Sequence, residues 1–164
     1  MRKAGSSMQL TRAADYAIRA LIHMAGLPSG ERVMLPVLAS VTGAPETFLS
    51  KVLQSLCRAG MLTSHRGQAG GFEIQKKGRR ATLSSVIATV DSPIQLNICL
   101  ATGATCDRKR SCPAHPVWVK AQAAMLEVLD AQTIAELAGQ SAGPQDERDR
   151  LPAPKPRTVA LTGA

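Results

Sequence analysis

Two stretches of helical periodicity joined by a single glycine turn constrain the fold of this 164-residue chain more than any other feature. Leu35 to Val41 is a short apolar run. Thr42-Gly43-Ala44 turns the chain, and Pro45 suits the first position of a helix, where its missing N–H costs nothing. From Pro45 to about Ala59, Phe48, Leu49, Val52, Leu53 and Leu56 recur at the three- and four-residue spacing of a buried stripe, and Gly60 stops the helix. Two helices joined this way predict a helix-turn-helix. Upstream, Leu10, Ala14, Ile18, Leu21 and Ala25 predict another amphipathic helix, capped by Thr11 and ended by Gly26-Leu27-Pro28-Ser29-Gly30.

Downstream, Met61–Arg66 and Phe72–Gln75 flank the glycine-rich stretch Gly67-Gln68-Ala69-Gly70-Gly71. That order predicts a hairpin, and a hairpin directly after a helix-turn-helix is a wing. Thr82 caps a further short helix carrying Leu83, Val86, Ile87 and Val90, which Asp91-Ser92-Pro93 breaks. A long helix begins near Pro116 with Val119, Ala123, Leu126 and Leu129 as its stripe, and Thr133–Ala138 forms one more short helix. From Gly139 onward Gly, Pro and charge dominate, which predicts no fixed fold there. The fold class is mainly α with a small β-hairpin wing: a winged helix-turn-helix followed by a long helix.

A formal charge of +8 favours an anionic partner, nucleic acid before a membrane surface. Aromatic residues make up only 2% of the chain, so its core is built from Leu, Ile, Val, Ala and Met. No apolar run reaches membrane-spanning length, and no apolar segment follows the basic start, so a cytoplasmic location is expected. Read as a DNA-binding unit, helix Pro45–Ala59 offers Pro45, Glu46, Thr47, Ser50, Lys51, Gln54 and Arg58 to the major groove. The wing offers His65, Arg66 and Gln68, and Lys76, Lys77, Arg79 and Arg80 add a basic run at its base. Winged helices also serve as docking modules, and a charge run is often only a solvated face.

Cys99, Cys106, Cys112 and His115 follow the spacing C-x6-C-x5-C-x2-H. Soft thiolates gathered on one loop suit an iron–sulfur cluster or zinc. Three thiolates leave either one ligand short. His115 supplies a fourth ligand from the same loop, and Asp15 is the alternative, from a partner subunit. The spacing lacks the paired C-x-x-C halves of zinc ribbons, which ranks zinc, and then a metal-free thiol set, behind iron–sulfur chemistry. Arg108, Lys109 and Arg110 lie between two of the thiols, where positive charge lowers thiol pKa. Cys57 reads as a small buried hydrophobe, and Trp118 as a core or dimer-interface residue. Gly67-x-x-Gly70-Gly71 precedes no Lys-Ser/Thr, and no nucleophile–base grouping stands out, so an enzyme is not expected.

Met8-Gln9-Leu10-Thr11-Arg12-Ala13-Ala14-Asp15-Tyr16-Ala17, the helix stretch Phe48–Leu56, the wing Arg66–Phe72 and the cysteine loop together resemble the Rrf family of bacterial winged-helix transcriptional regulators, which includes the iron–sulfur sensors IscR, NsrR and RirA. The resemblance spans roughly Met8 to Ala138. It implies a homodimer joined through the long helix, DNA binding, and cluster ligation by Cys99, Cys106 and Cys112. His115 matches the fourth-ligand position of IscR-like members, and Asp15 that of NsrR-like members, so the cluster has two or four irons. One residue more than usual separates Cys99 from Cys106. The expected organisation is an N-terminal extension at 1–7, with Met8 the biological start. The winged helix-turn-helix follows at 8–91, the cluster-binding loop at 92–115, the dimerisation helix region at 116–138, and a disordered tail at 139–164. The implied function is a transcriptional regulator, a repressor whose operator affinity an iron–sulfur cluster controls in response to nitric oxide, iron or redox status. The alternatives are a zinc- or thiol-based regulator and, in another class, an electron-carrier or cluster-delivery protein that docks through its winged helix.

Overall fold

The computed structural model describes residues 10–67, 70–101, 106 and 111–140. The extension at 1–7, Gln68 and the tail from residue 141 lie outside that range. Helix α1 (Arg12–Ala25) starts where Thr11 Oγ1 accepts from the Ala14 N–H at 3.2 Å. Such a cap satisfies a backbone donor that the first helical turn leaves unpaired. One face of α1 is almost all small: Ala14, Ala17 and Ala20 are fully buried beside Leu21 and Met24. Small side chains let neighbouring helices approach closely, and α1 packs against five of them.

Helix α2 (Leu35–Thr42) ends at Gly43, whose φ of +70° is the left-handed turn that glycine adopts without a Cβ clash. Helix α3 (Glu46–Arg58) follows. Pro45 sits just before α3 rather than at its first position, with extended backbone. Its carbonyl accepts from the Phe48 and Leu49 N–H groups. Leu49, Val52, Leu53 and Leu56 are buried as the periodicity requires. Phe48 is not: it is 41% exposed and meets Tyr16 edge-on, with ring centroids 6.0 Å apart. It stands at the margin of the stripe, one residue before Leu49 and a turn before Val52.

The wing is a three-stranded antiparallel sheet, not a two-stranded hairpin. Strands β1 (Arg32–Val33), β2 (Leu62–His65) and β3 (Gly71–Ile74) lie in the order β1-β3-β2. Leu62 pairs with Ile74 and His65 with Gly71, while Val33 pairs with Phe72 on the other side. Gly71 has a φ of +142°, and a Cβ there would fall 2.8 Å from the Val33 carbonyl oxygen. Glycine is therefore what lets β1 close against β3.

A single turn, α4 (Lys76–Arg79), leads to α5 (Leu83–Val90), where the Ser85 hydroxyl accepts from the Thr82 N–H at 2.9 Å as part of a capping box. Val86 and Ile87 of α5 enter the core. A 3-10 turn at Ile98–Leu100 precedes α6 (His115–Asp130). Helix α6 has no buried residue. Of its expected stripe, Leu126 and Leu129 are half-buried, and Val119 and Ala123 are exposed; Trp118 is exposed too and is no part of the core. Helix α7 (Ile134–Gln140) folds back onto α1 and α4, with Ile134 and Ala138 buried in the winged-helix core. The Thr133–Ala138 segment therefore packs with the winged unit, although the chain reaches it only after α6.

Candidate nucleic-acid interface and thiol site

The outward side of α3 carries the groups read from its period. Pro45, Glu46, Thr47, Lys51, Gln54 and Arg58 are exposed, and Ser50 is half-buried. Arg58 is tied along its own helix, donating to Ser55 Oγ at 2.9 Å, whereas Lys51 has no side-chain partner among the described residues. In the wing Arg66 is exposed, and Gln68 lies outside the described residues. His65 is engaged within the sheet: its Nε2 lies 3.0 Å from Glu73 Oε2 on the neighbouring strand, with both side chains about three-quarters buried. Glu73 in turn pairs in register with Arg32 of β1. The carboxylate thus holds His65 against the wing stalk. Glu73 had a legible signal only once strand β1 and the β2–β3 register were known.

The basic run at the base of the wing divides in two. Lys77 Nζ donates to the Ala59 carbonyl at 2.7 Å, at the end of α3. Arg79 donates to the Ala25 and Leu27 carbonyls at 2.7 and 2.9 Å, at the end of α1. Last-turn carbonyls lack helical partners and carry the negative end of the helix dipole, so a cation there is held in place. Lys77 and Arg79 thus act as bracing groups inside the winged unit. Lys76 and Arg80 remain exposed.

Cys99 lies buried in the 3-10 turn, and Cys106 and Cys112 are half-buried; none of the four cysteines forms a disulfide. The His115 N–H donates to the Cys112 carbonyl at 3.1 Å, which sets Cys112 directly before the first turn of α6. His115 Nδ1 is buried and is the single such side-chain atom without a hydrogen-bond partner among the described residues. A buried imidazole nitrogen without a partner is costly, and ligation would relieve it. Asp15 is otherwise occupied: its Oδ1 accepts from Arg19 Nε at 3.0 Å on the surface of α1. Among the described residues no three His, Cys, Asp or Glu side chains come together around one point. The donor set fits a soft metal centre by its chemistry, and the thiols are not gathered around one. Cys57 is half-buried, and burial pushes its thiol pKa up, in keeping with a packing role. Arg108, Lys109 and Arg110 lie outside the described residues.

Residues 10–140 match the sequence model of Rrf2, described as an iron-dependent transcriptional regulator. This chain belongs to the Rrf2 family. It is 30% identical over 132 residues to a Mycobacterium tuberculosis protein named as an HTH-type transcriptional regulator, Rv1287, a match covering 80% of this chain and 82% of that one. The fold is shared with T. potens IscR, with a TM-score of 0.65, 22% identity, and coverage of 84% of this chain and 91% of that one. It is shared equally with CymR, the global cysteine regulator of B. subtilis, with a TM-score of 0.62, 23% identity, and coverage of 85% and 98%. Rrf2 proteins are winged-helix transcriptional regulators that bind DNA, and the chain is a regulator rather than an enzyme. Among the described residues no helix is long and apolar enough to cross a membrane.

Proposed function

We propose that this Rrf2-family protein is a cytoplasmic homodimeric repressor whose operator affinity is set by an iron–sulfur cluster on the loop between α5 and α6. Pro45 and, on α3, Thr47, Ser50 and Lys51 face the major groove, and Arg66, with Gln68 and His65 around it, serves the wing. Cys99, Cys106 and Cys112 donate three thiolates, and His115 is favoured over the partner's Asp15 as the fourth ligand. The observation that carries this reading is the buried, unpartnered His115 Nδ1 at the head of α6, within the cysteine segment. When bound, an iron–sulfur cluster supplies a centre that reacts with nitric oxide or oxidants and is lost when iron is scarce. The residues around it do the mechanical work. Cys99 anchors one end of the loop in the 3-10 turn, and Cys112 and His115 anchor the other at α6. Fixing those ends sets how α6, and the partner packed on its uncovered apolar side chains, stands relative to α3.

The test is the visible absorption of anaerobically purified protein with iron and sulfide counts. Cys99→Ala, Cys106→Ala and Cys112→Ala are each expected to lose the cluster spectrum, and Cys57→Ala to keep it. Full occupancy in a variant lacking all three loop cysteines overturns the assignment. An unchanged spectrum in His115→Ala with a changed one in Asp15→Ala moves the fourth ligand to α1. The second reading, a metal-free thiol regulator, is favoured by one observation: no three donors gather among the described residues. It predicts protein without iron, sulfide or zinc whose DNA affinity follows thiol oxidation.

A further inference from the structure

We infer that Asp130 is a positioning residue that sets the angle of the long helix on the winged unit and, through it, the separation of the two recognition helices. The inference rests on the proposed dimer. Asp130 is the last residue of α6. Its Oδ1 accepts from Thr82 Oγ1 at 2.6 Å and from Ser84 Oγ. Thr82 and Ser84 stand at the start of α5, whose Val86 and Ile87 are locked in the core. The same junction carries a backbone link: Ile134 N–H donates to the Ala81 carbonyl at 2.8 Å, within an isolated antiparallel β-bridge between Thr82 and Thr133.

Packing holds α6 only loosely. None of its residues is fully buried: α6 meets α5 with Leu126 and Leu129 half-buried, beside a cleft of about 260 Å³ lined by Ser84, Ala88, Ile94, Gln122 and Leu126. Across that cleft Gln122 Oε1 accepts from the Leu96 N–H at 3.1 Å. A helix so lightly packed takes part of its direction from directional contacts, and the charge-assisted one here is a carboxylate accepting from two hydroxyls. The α5 N-terminus adds a favourable dipole field for that anion. Asp130 therefore works as a latch at one end of α6, with Gln122 a weaker stay nearer the cysteine loop.

The test uses the full chain with Asp130→Ala and Ser84→Ala. Binding is measured to a single half-site and to two half-sites at several spacings, alongside sedimentation and thermal unfolding. Asp130→Ala is expected to leave single half-site binding within twofold of wild type. On the optimally spaced operator it weakens binding by about fivefold or more, in the range of ordinary allosteric couplings, and it flattens the dependence on spacing. Ser84→Ala shifts the same readouts in the same direction by less, and Asp130→Glu restores part of the spacing preference. Unchanged spacing dependence in a dimeric Asp130→Ala protein overturns the latch alone. Equal losses on half-site and full operator reduce Asp130 to a merely structural group and overturn it too. A wild-type protein that sediments as a monomer overturns the dimeric reading and the latch with it.

Discussion

Arg79 and Arg80 are adjacent, equally basic and alike in sequence, yet the fold assigns them opposite work. Arg79 closes two carbonyls at the end of α1, and Arg80 faces solvent. Hydrogen bonds to a charged donor contribute about 1.5–3 kcal/mol, and the loss of one partner strands the other. Arg79→Ala is therefore expected to lower unfolding stability by about that amount, while Arg80→Ala stays within roughly 0.5 kcal/mol. Urea titrations of both variants check this; equal effects would contradict the bracing role. Arg79→Lys does not restore it, because an ammonium lacks the planar fork that reaches both carbonyls. Asp130 gives the pH-dependent case. Hydroxyl donation from Ser84, then from Thr82, holds its carboxyl below the ordinary range. A carboxyl depressed by folding stabilises the fold fully above its unfolded pKa, and that contribution is lost as pH falls through the folded value. The stability gap between wild type and Asp130→Asn is thus expected at neutral pH and vanishes at acid pH below both values. A gap that persists there contradicts the hydrogen-bonded latch. None of this was legible in the chain alone, since the partners of Arg79 and Asp130 lie about fifty residues away in sequence.

At the scale of elements, local chemistry is legible in the sequence and long-range return is not. The Thr11 cap, the Gly43 turn, the α3 stripe and the Thr82 start of α5 all follow from period and capping, which act within one or two turns. Strand β1 was invisible because two residues, Arg32 and Val33, carry no alternation to detect. Phe48 has the residue type of a core position, and only the phase of its helix leaves it at the margin. Helix α6 reads as amphipathic and yet buries nothing within its own chain, which a single-chain hydrophobic pattern cannot distinguish from a core helix. Helix α7 shows the converse: a short, weak pattern whose Ile134 is completely enclosed by the winged unit. Truncating it should leave a cavity, so Ile134→Ala is expected to cost about 2–5 kcal/mol in unfolding of the isolated chain. Val128→Ala, at a position 74% exposed, should leave that stability unchanged and loosen self-association instead. Unfolding followed over a range of protein concentrations separates the two. An Ile134→Ala protein as stable as wild type would mean α7 is not part of the core.

The whole molecule joins a basic winged unit to a helix that is apolar and uncovered, through a loop carrying three thiols and an imidazole. The charge of +8 and the exposed Lys51 and Arg66 make DNA binding salt-dependent. Lys51→Ala is expected to reduce the slope of log affinity against log salt by about one, and Arg66→Ala to cost about 1–3 kcal/mol on a specific site. An unchanged slope in the first, measured over a salt series, would remove Lys51 from the phosphate contacts. Family and fold were legible from the sequence because the helix-turn-helix, wing and cysteine spacing are local patterns. How the thiols act was not, because their gathering depends on the loop's path between α5 and α6 and on what binds there. The central claim is that occupancy of this loop controls DNA affinity. The measurement that tests it most directly is a titration of one operator with cluster-loaded and cluster-free protein at matched salt and dimer concentration. The account predicts tighter binding by the loaded form, by roughly 5–150-fold. Equal affinities of the two forms for every operator tried would contradict it.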